Sequence, residues 1–239
     1  MKDIIAWFGL KRIPFDKNIK PKDVLDTDPF KECTARLDYI KRRGGILLLT
    51  GDPGVGKTLV LRRYVDSLNE NLFKPCYTPL STLSRADLLY HLNRLLGLPP
   101  RLSKSAVYGQ IQQAVIESKE QMGKTIVLII DEAHLLQTEL NRVMEFAVME
   151  PFNQRIAMRY HLPGLTHDET QIYINHHLNL AGAKEPILDQ KAMDAVFELS
   201  FGIPRKIGSI TEQALTYAMF DGKRTVSADM LIKLKRLQN

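Results

Sequence analysis

Gly51-Asp52-Pro53-Gly54-Val55-Gly56-Lys57-Thr58 follows the apolar run Ile46-Leu47-Leu48-Leu49 and precedes a helical pattern from Leu59 to Leu68. A short apolar run that ends in glycines reads as a buried parallel strand. Strand, loop and helix therefore stand in the order of a phosphate-binding loop of the form G-x-x-x-x-G-K-T. The glycines let successive backbone N–H groups turn inward toward a phosphate, and the helix adds the positive end of its dipole at the same place. Residues Gly51, Asp52, Pro53, Gly54, Val55, Gly56, Lys57, Thr58 and Leu59 are the nucleotide-binding candidates. Lys57 is placed to reach the β- and γ-phosphates of ATP, and the Thr58 hydroxyl to ligate Mg²⁺.

A second anchor lies downstream. Thr125 is followed by five apolar residues, Ile126 to Ile130, and then by Asp131-Glu132-Ala133-His134. The run reads as a strand buried on both faces, and ligands of open α/β sheets bind at the carboxyl ends of such strands. Asp131 is the candidate to hold Mg²⁺ with Thr58. Glu132 is the candidate general base for an attacking water.

The bulk composition sets limits. The 239 residues are 44% hydrophobic and 25% charged, which suits one large soluble domain or two small ones. Lys and Arg exceed Asp and Glu by 33 to 27, a net charge of +6 that permits a polyanionic partner without requiring one. The two cysteines, Cys33 and Cys76, have no metal-ligand spacing and point to a reducing compartment. No apolar run approaches the roughly 18 residues of a membrane span, and no secretory leader is evident. A cytoplasmic protein is the expectation.

Along the chain, Met1 to about Phe30 reads as an arm packed on the core, with Pro21 and Pro29 interrupting it. Glu32 to Lys41 reads as a short helix. The basic run Lys41-Arg42-Arg43 is either a solvated helix end or a phosphate contact. Pro75 to Leu80 reads as a strand, and Ser84 caps a helix from Arg85 to Leu96. Another helix runs from Ser105 to Glu120, and Arg101-Leu102-Ser103-Lys104 is the basic connector between the two. Arg85, Arg101 and Lys104 are candidates for touching a polyanion, with plain surface charge as the alternative. Beyond Leu165 only helices are expected. Thr166 and Glu169 form a capping box, Gly182 closes that helix, Asp189 and Ser227 cap later ones, and Pro204 occupies a first turn. His176-His177 lacks acidic or cysteine partners at ligand spacing, so no metal site is read there.

The loop at 51–58, the Asp131-Glu132 pair, Gln154-Arg155-Ile156 and Gly202-Ile203-Pro204-Arg205 together resemble an AAA+ ATPase. Trp7-Phe8-Gly9-Leu10, Pro14-Phe15 and Asp131-Glu132-Ala133-His134 are similar, more narrowly, to the ExeA-like branch. That branch includes ATP-dependent helpers of DNA transposition of the TnsC, TniB, MuB and IstB kinds. The resemblance covers nearly the whole chain. It implies a P-loop AAA+ αβα parallel-sheet core over residues 1–164 and a helical lid over 165–239. Arg155 takes the place of an arginine finger acting on a neighbour's γ-phosphate, with Arg159 and Arg142 as substitutes, and Arg205 that of the sensor 2 arginine. The activity implied is ATP hydrolysis at subunit boundaries of a homo-oligomer, ring or helical filament, that binds duplex DNA and serves a transposase. The alternatives are an ExeA-like secretion-assembly ATPase and a nucleotide-gated scaffold that hydrolyses little.

In one respect the chain departs from the resemblance. AAA+ proteins place a further strand, ending in the sensor 1 residue, between the Asp131-Glu132 strand and the one read here at Ala157 to Leu162. The interval from Glu132 to Ile156 holds only about 25 residues, whereas two crossovers and a strand need roughly 30 or more. Leu135 to Met149 reads as helix, and no residue there fits sensor 1. Either the sequence omits an internal segment, which is the favoured reading, or the strand is missing from the fold.

Overall fold

The computed structural model describes residues 2–16, 19–79, 85–131 and 156–238. Among these, α1 (Lys2–Phe8) and a short 3-10 turn (Pro21–Asp23) lead to α2 (Asp28–Arg43), β1 (Ile46–Thr50) and α3 (Lys57–Ser67). Then come β2 (Phe73–Pro79), α4 (Arg85–Leu95), α5 (Lys104–Glu120), β3 (Thr125–Asp131) and β4 (Ile156–His161). The chain ends in α6 (His167–Ala181), α7 (Gln190–Ser200), α8 (Pro204–Phe220) and α9 (Ala228–Gln238). The helix read at Leu135 to Met149 lies outside the described residues, as does the interval tested for a sensor 1 strand.

The elements group into two compact units, one of residues 1–36, 48–60 and 159–239, the other of 37–47 and 61–158. The first has its core among the C-terminal helices. Ile174, Ile207 and Leu215 are fully enclosed there with Ala214, Val226 and Leu231. Each large aliphatic side chain contributes about 1.5–3 kcal/mol by leaving water. Leu10 of the arm is buried in the same cluster, with Ile5, Phe8 and Phe15 packed against it. The arm thus packs on the C-terminal helices. Its backbone is tied there by the Lys11 N–H, which donates to the Ala181 carbonyl at 2.7 Å.

The helix boundaries follow their caps. The Thr166 hydroxyl accepts from the Glu169 N–H, and the Glu169 carboxylate accepts from the Thr166 N–H, the reciprocal pair that the sequence predicts. Gly182 ends α6 in the left-handed conformation at φ 96°. Asp189 caps α7 through the Ala192 N–H at 2.7 Å. Helix α2 begins four residues ahead of the sequence reading, at Asp28 rather than Glu32. Pro29 lies in its first turn, where a missing N–H costs no helical bond, so the proline starts the helix instead of breaking it.

In the second unit β2 and β3 are parallel and in register from Phe73 opposite Thr125 to Pro79 opposite Asp131. Pro75 and Pro79 lack N–H donors, which suits an edge strand. Helix α5 packs against β3 with Val107 fully buried, and α4 packs on α5. Ile129 and Asp131, two apart and so on one face, are buried, but Leu128 on the opposite face is 43% exposed, so β3 is covered on one face more than on the other. The remaining strand pairing joins β1 to β4, and among the described residues no strand pairs with both β1 and β3.

Candidate functional site

Strand β1 delivers the loop 51–56 directly onto the N-terminus of α3. Gly51, Gly54 and Gly56 have φ of 148°, 91° and 107°, backbone that side chains other than glycine adopt only with strain. Two of the three are also constrained by packing. A side chain at Gly51 would meet the Leu162 carbonyl at 2.6 Å, and one at Gly54 would meet the Arg205 Cβ at 2.7 Å. At Gly56 nothing among the described residues lies within 4 Å of such a side chain, leaving the loop open there among those residues to an approaching group. Val55 and Val60, 7% and 0% exposed, anchor the loop and the helix beneath it.

Lys57 arches back over this loop. Its ammonium donates to the carbonyls of Gly51 at 2.7 Å and Asp52 at 3.1 Å. Arg205 meets the turn as well: its backbone N–H donates to the Gly54 carbonyl at 3.3 Å. Pro204 at the first position of α8 presets the helix start there. Gly54, in the loop that Lys57 crosses, is thus in contact with Arg205, 151 positions away in sequence.

Asp131 closes β3, 7% exposed, and accepts a hydrogen bond from the Tyr77 hydroxyl at 2.6 Å. Burial first, and then that hydrogen bond and the carboxylate's charge, push the Tyr77 hydroxyl above its ordinary pKa, so it remains a donor. Sequence reasoning missed Tyr77. The available signal was its place in β2, two residues before the position that pairs with Asp131. It likewise missed Leu162, whose carbonyl faces Gly51. Thr58 opens α3 with Lys57, half-buried. Glu132, Arg155 and Arg142 lie outside the described residues. Arg159 lies on the exposed side of β4. Arg85 begins α4, Arg101 is exposed in the connector, and Lys104 begins α5, also exposed.

The sequence matches the AAA domain family over residues 40–164, more than half of the chain and inclusive of the loop, Asp131 and β4. The chain belongs to the AAA domain family. Its fold is the P-loop AAA+ fold, a parallel sheet with helices. This AAA+ chain is 30% identical, over 253 aligned residues, to the General secretion pathway protein A of Aeromonas hydrophila. The alignment covers 92% of this AAA+ chain but 46% of the relative, so the chain spans less than half of that protein. An alignment of 253 positions exceeds the chain's 239 residues, so the relative carries residues with no counterpart here.

Solved structures share the AAA+ fold at low identity. Drosophila ORC bound to DNA superposes with a TM-score of 0.69 at 15% identity, covering 97% of this chain and 64% of that one. The ADP form of the Aeropyrum pernix ORC2 protein gives 0.61 at 17%, covering 92% and 70%. The Thermotoga maritima RuvB Holliday junction branch migration motor gives 0.55 at 18%, covering 89% and 70%. Among the described residues of this AAA+ chain no helix is long and apolar enough to cross a membrane.

Proposed function

We propose that this AAA+ chain binds ATP on the loop 51–59, hydrolyses it, and does so at a boundary between copies of itself. The observation that supports this reading best is the loop with Lys57 folded across it and Arg205 seated on Gly54. The residues suit the ligands. Thr58 and Asp131 offer the hard oxygen donors that Mg²⁺ prefers, and among the described residues the space before Gly56 is open to a phosphate. Mg²⁺, when bound, neutralises charge on the phosphate oxygens.

In this reading Lys57 exchanges the loop carbonyls for the β- and γ-phosphate oxygens. Backbone N–H groups of the loop and the positive end of α3 hold the β-phosphate. Glu132 takes a proton from water as the water oxygen bonds to the γ-phosphorus. The bond from that phosphorus to the bridging oxygen breaks, and ADP and phosphate leave. Arg205 contributes from the same chain, and Arg155 reaches the γ-phosphate of the neighbouring copy. Phosphate release should fall about 100-fold or more for Lys57→Ala. Wild-type chain that binds ATP but releases no phosphate would sink hydrolysis and leave a nucleotide-gated scaffold.

For the partner, we favour duplex DNA gripped through its backbone by basic residues such as Arg85, Arg101 and Lys104 in the ATP-bound ring or filament, serving a transposase. The DNA-bound ORC and the RuvB motor share its fold and lend this some support. The relative named for general secretion favours the second reading, a secretion-assembly ATPase. Buried, unbridged Cys33 and Cys76 and the use of ATP fit a cytoplasmic location. Binding to random-sequence duplex at two salt concentrations, with ADP or a non-hydrolysable ATP analogue, separates the partners. Analogue-dependent binding that weakens steeply with salt supports DNA. Its absence at low salt leaves the secretion reading.

A further inference from the structure

Phe15, in the loop between α1 and α2, has a left-handed backbone at φ 57°. A bulky side chain in that region is an outlier, and outliers persist where their surroundings over-determine them. The surroundings here are two helices. On α6 the Phe15 ring stacks on the imidazole of buried His177, with centroids 4.9 Å apart, and lies 6.1 Å from the Tyr173 ring. On α8 it fills the place of an absent side chain, since a Cβ on Gly208 would come within 3.1 Å of the Phe15 Cβ and 3.4 Å of its Cγ. Gly208 is buried inside a helix, where glycine is the weakest former after proline. Its lack of a side chain gives Phe15 a notch.

The notch sits one turn behind Arg205. Residues three apart lie on the same side of a helix, so Gly208 is stacked along α8 behind the turn that meets Gly54. The loop carrying Phe15 and the helix α1 before it are each fastened to the C-terminal segment. The Arg12 Nε donates to the Leu180 carbonyl at 2.8 Å, and the Trp7 indole N–H donates to the Lys223 carbonyl at 2.9 Å.

We propose that Phe15 is a positioning residue for the nucleotide site: seated in the Gly208 notch, it holds α8 so that Arg205 rests on the Gly54 turn. The arm thereby couples the pose of α8 to the occupant of the loop. This rests on the reading of the loop and Arg205 as the ATP site.

The test uses the full chain and measures fluorescent ATP-analogue and ADP binding for wild type, Lys57→Ala, Phe15→Ala, Phe15→Leu, Gly208→Ala, Arg205→Ala and Phe15→Ala/Arg205→Ala. Trp7, the single tryptophan, reports by its emission that the arm stays docked. The expected result is that Phe15→Ala lowers the ratio of ATP to ADP affinity by about fivefold or more. Arg205→Ala should do the same, and the double variant should be no worse than either single one. Phe15→Leu should restore most of the ratio. Gly208→Ala, favourable to the helix but crowding Phe15, should lower the ratio with an undiminished Tm. An unchanged ratio with a lowered Tm, or multiplicative losses in the double variant, overturns the proposal. If Phe15→Ala does not fold, Gly208→Ala and Phe15→Leu decide the same ratio. If Lys57→Ala and Arg205→Ala both bind nucleotide like wild type, the ATP reading falls and the positioning role falls with it.

Discussion

Gly54 shows how one residue type can answer two demands. Its φ of 91° already disfavours a side chain, and the Arg205 Cβ occupies the space a side chain would need. Gly54→Ala should therefore lower stability by about 1–3 kcal/mol, read as a drop in Tm, and weaken ATP binding. Gly56→Ala meets only the backbone demand and should cost less in Tm. Tyr77→Phe removes one donor from buried Asp131 and should cost about 1–3 kcal/mol, while leaving the β2–β3 register intact.

His177 supplies a pH dependence. Burial, with smaller contributions from neighbouring His176 and Arg12, lowers its pKa from 6.5 to about 4. The unfolded chain takes up a proton below pH 6.5 that the folded chain refuses until about pH 4. Stability is thus fully present above pH 6.5 and is lost as pH falls toward 4. Tm measured across this window should fall as the pH is lowered, and His177→Phe, which keeps an aromatic ring against Phe15 and Tyr173, should flatten that fall.

At the scale of elements, Glu169 does more than its capping box requires. One carboxylate oxygen accepts from the Thr166 N–H at the start of α6, and the other accepts from the Asp28 N–H at the start of α2. A box partner alone is worth about 1 kcal/mol. Chemical denaturation should show Glu169→Ala costing more than Thr166→Ala, and Glu169→Gln recovering part of the difference. The capping box was legible because its residues are three positions apart. The second role was not, because Asp28 is 141 positions away. Helix α2 teaches the same lesson in reverse: Pro29 looks like a breaker until the helix start at Asp28 places it in the first turn.

For the molecule as a whole, the arm belongs physically with the C-terminal helices. Leu10, 7% exposed, completes their core, so Leu10→Ala should cost about 2–5 kcal/mol. The same variant should release Trp7 from the ring-stacking Arg224, 4.3 Å away, and shift its emission. A stable variant with unchanged emission would show the arm to be dispensable to that core.

By itself the sequence determined the phosphate-binding loop, the strands that carry it and Asp131, the run of helices after Leu165 with the caps of the first two, and through these the fold. All rest on local physics: glycine conformations, hydrogen bonds over a few residues, and the period of apolar side chains. Only the tertiary structure decided that Arg205 meets Gly54, that Tyr77 donates to Asp131, that Leu162 faces Gly51, and that Phe15 fills the Gly208 notch. Those contacts depend on shape and on groups distant along the chain, and no periodicity or spacing encodes which buried surfaces come to share a van der Waals boundary.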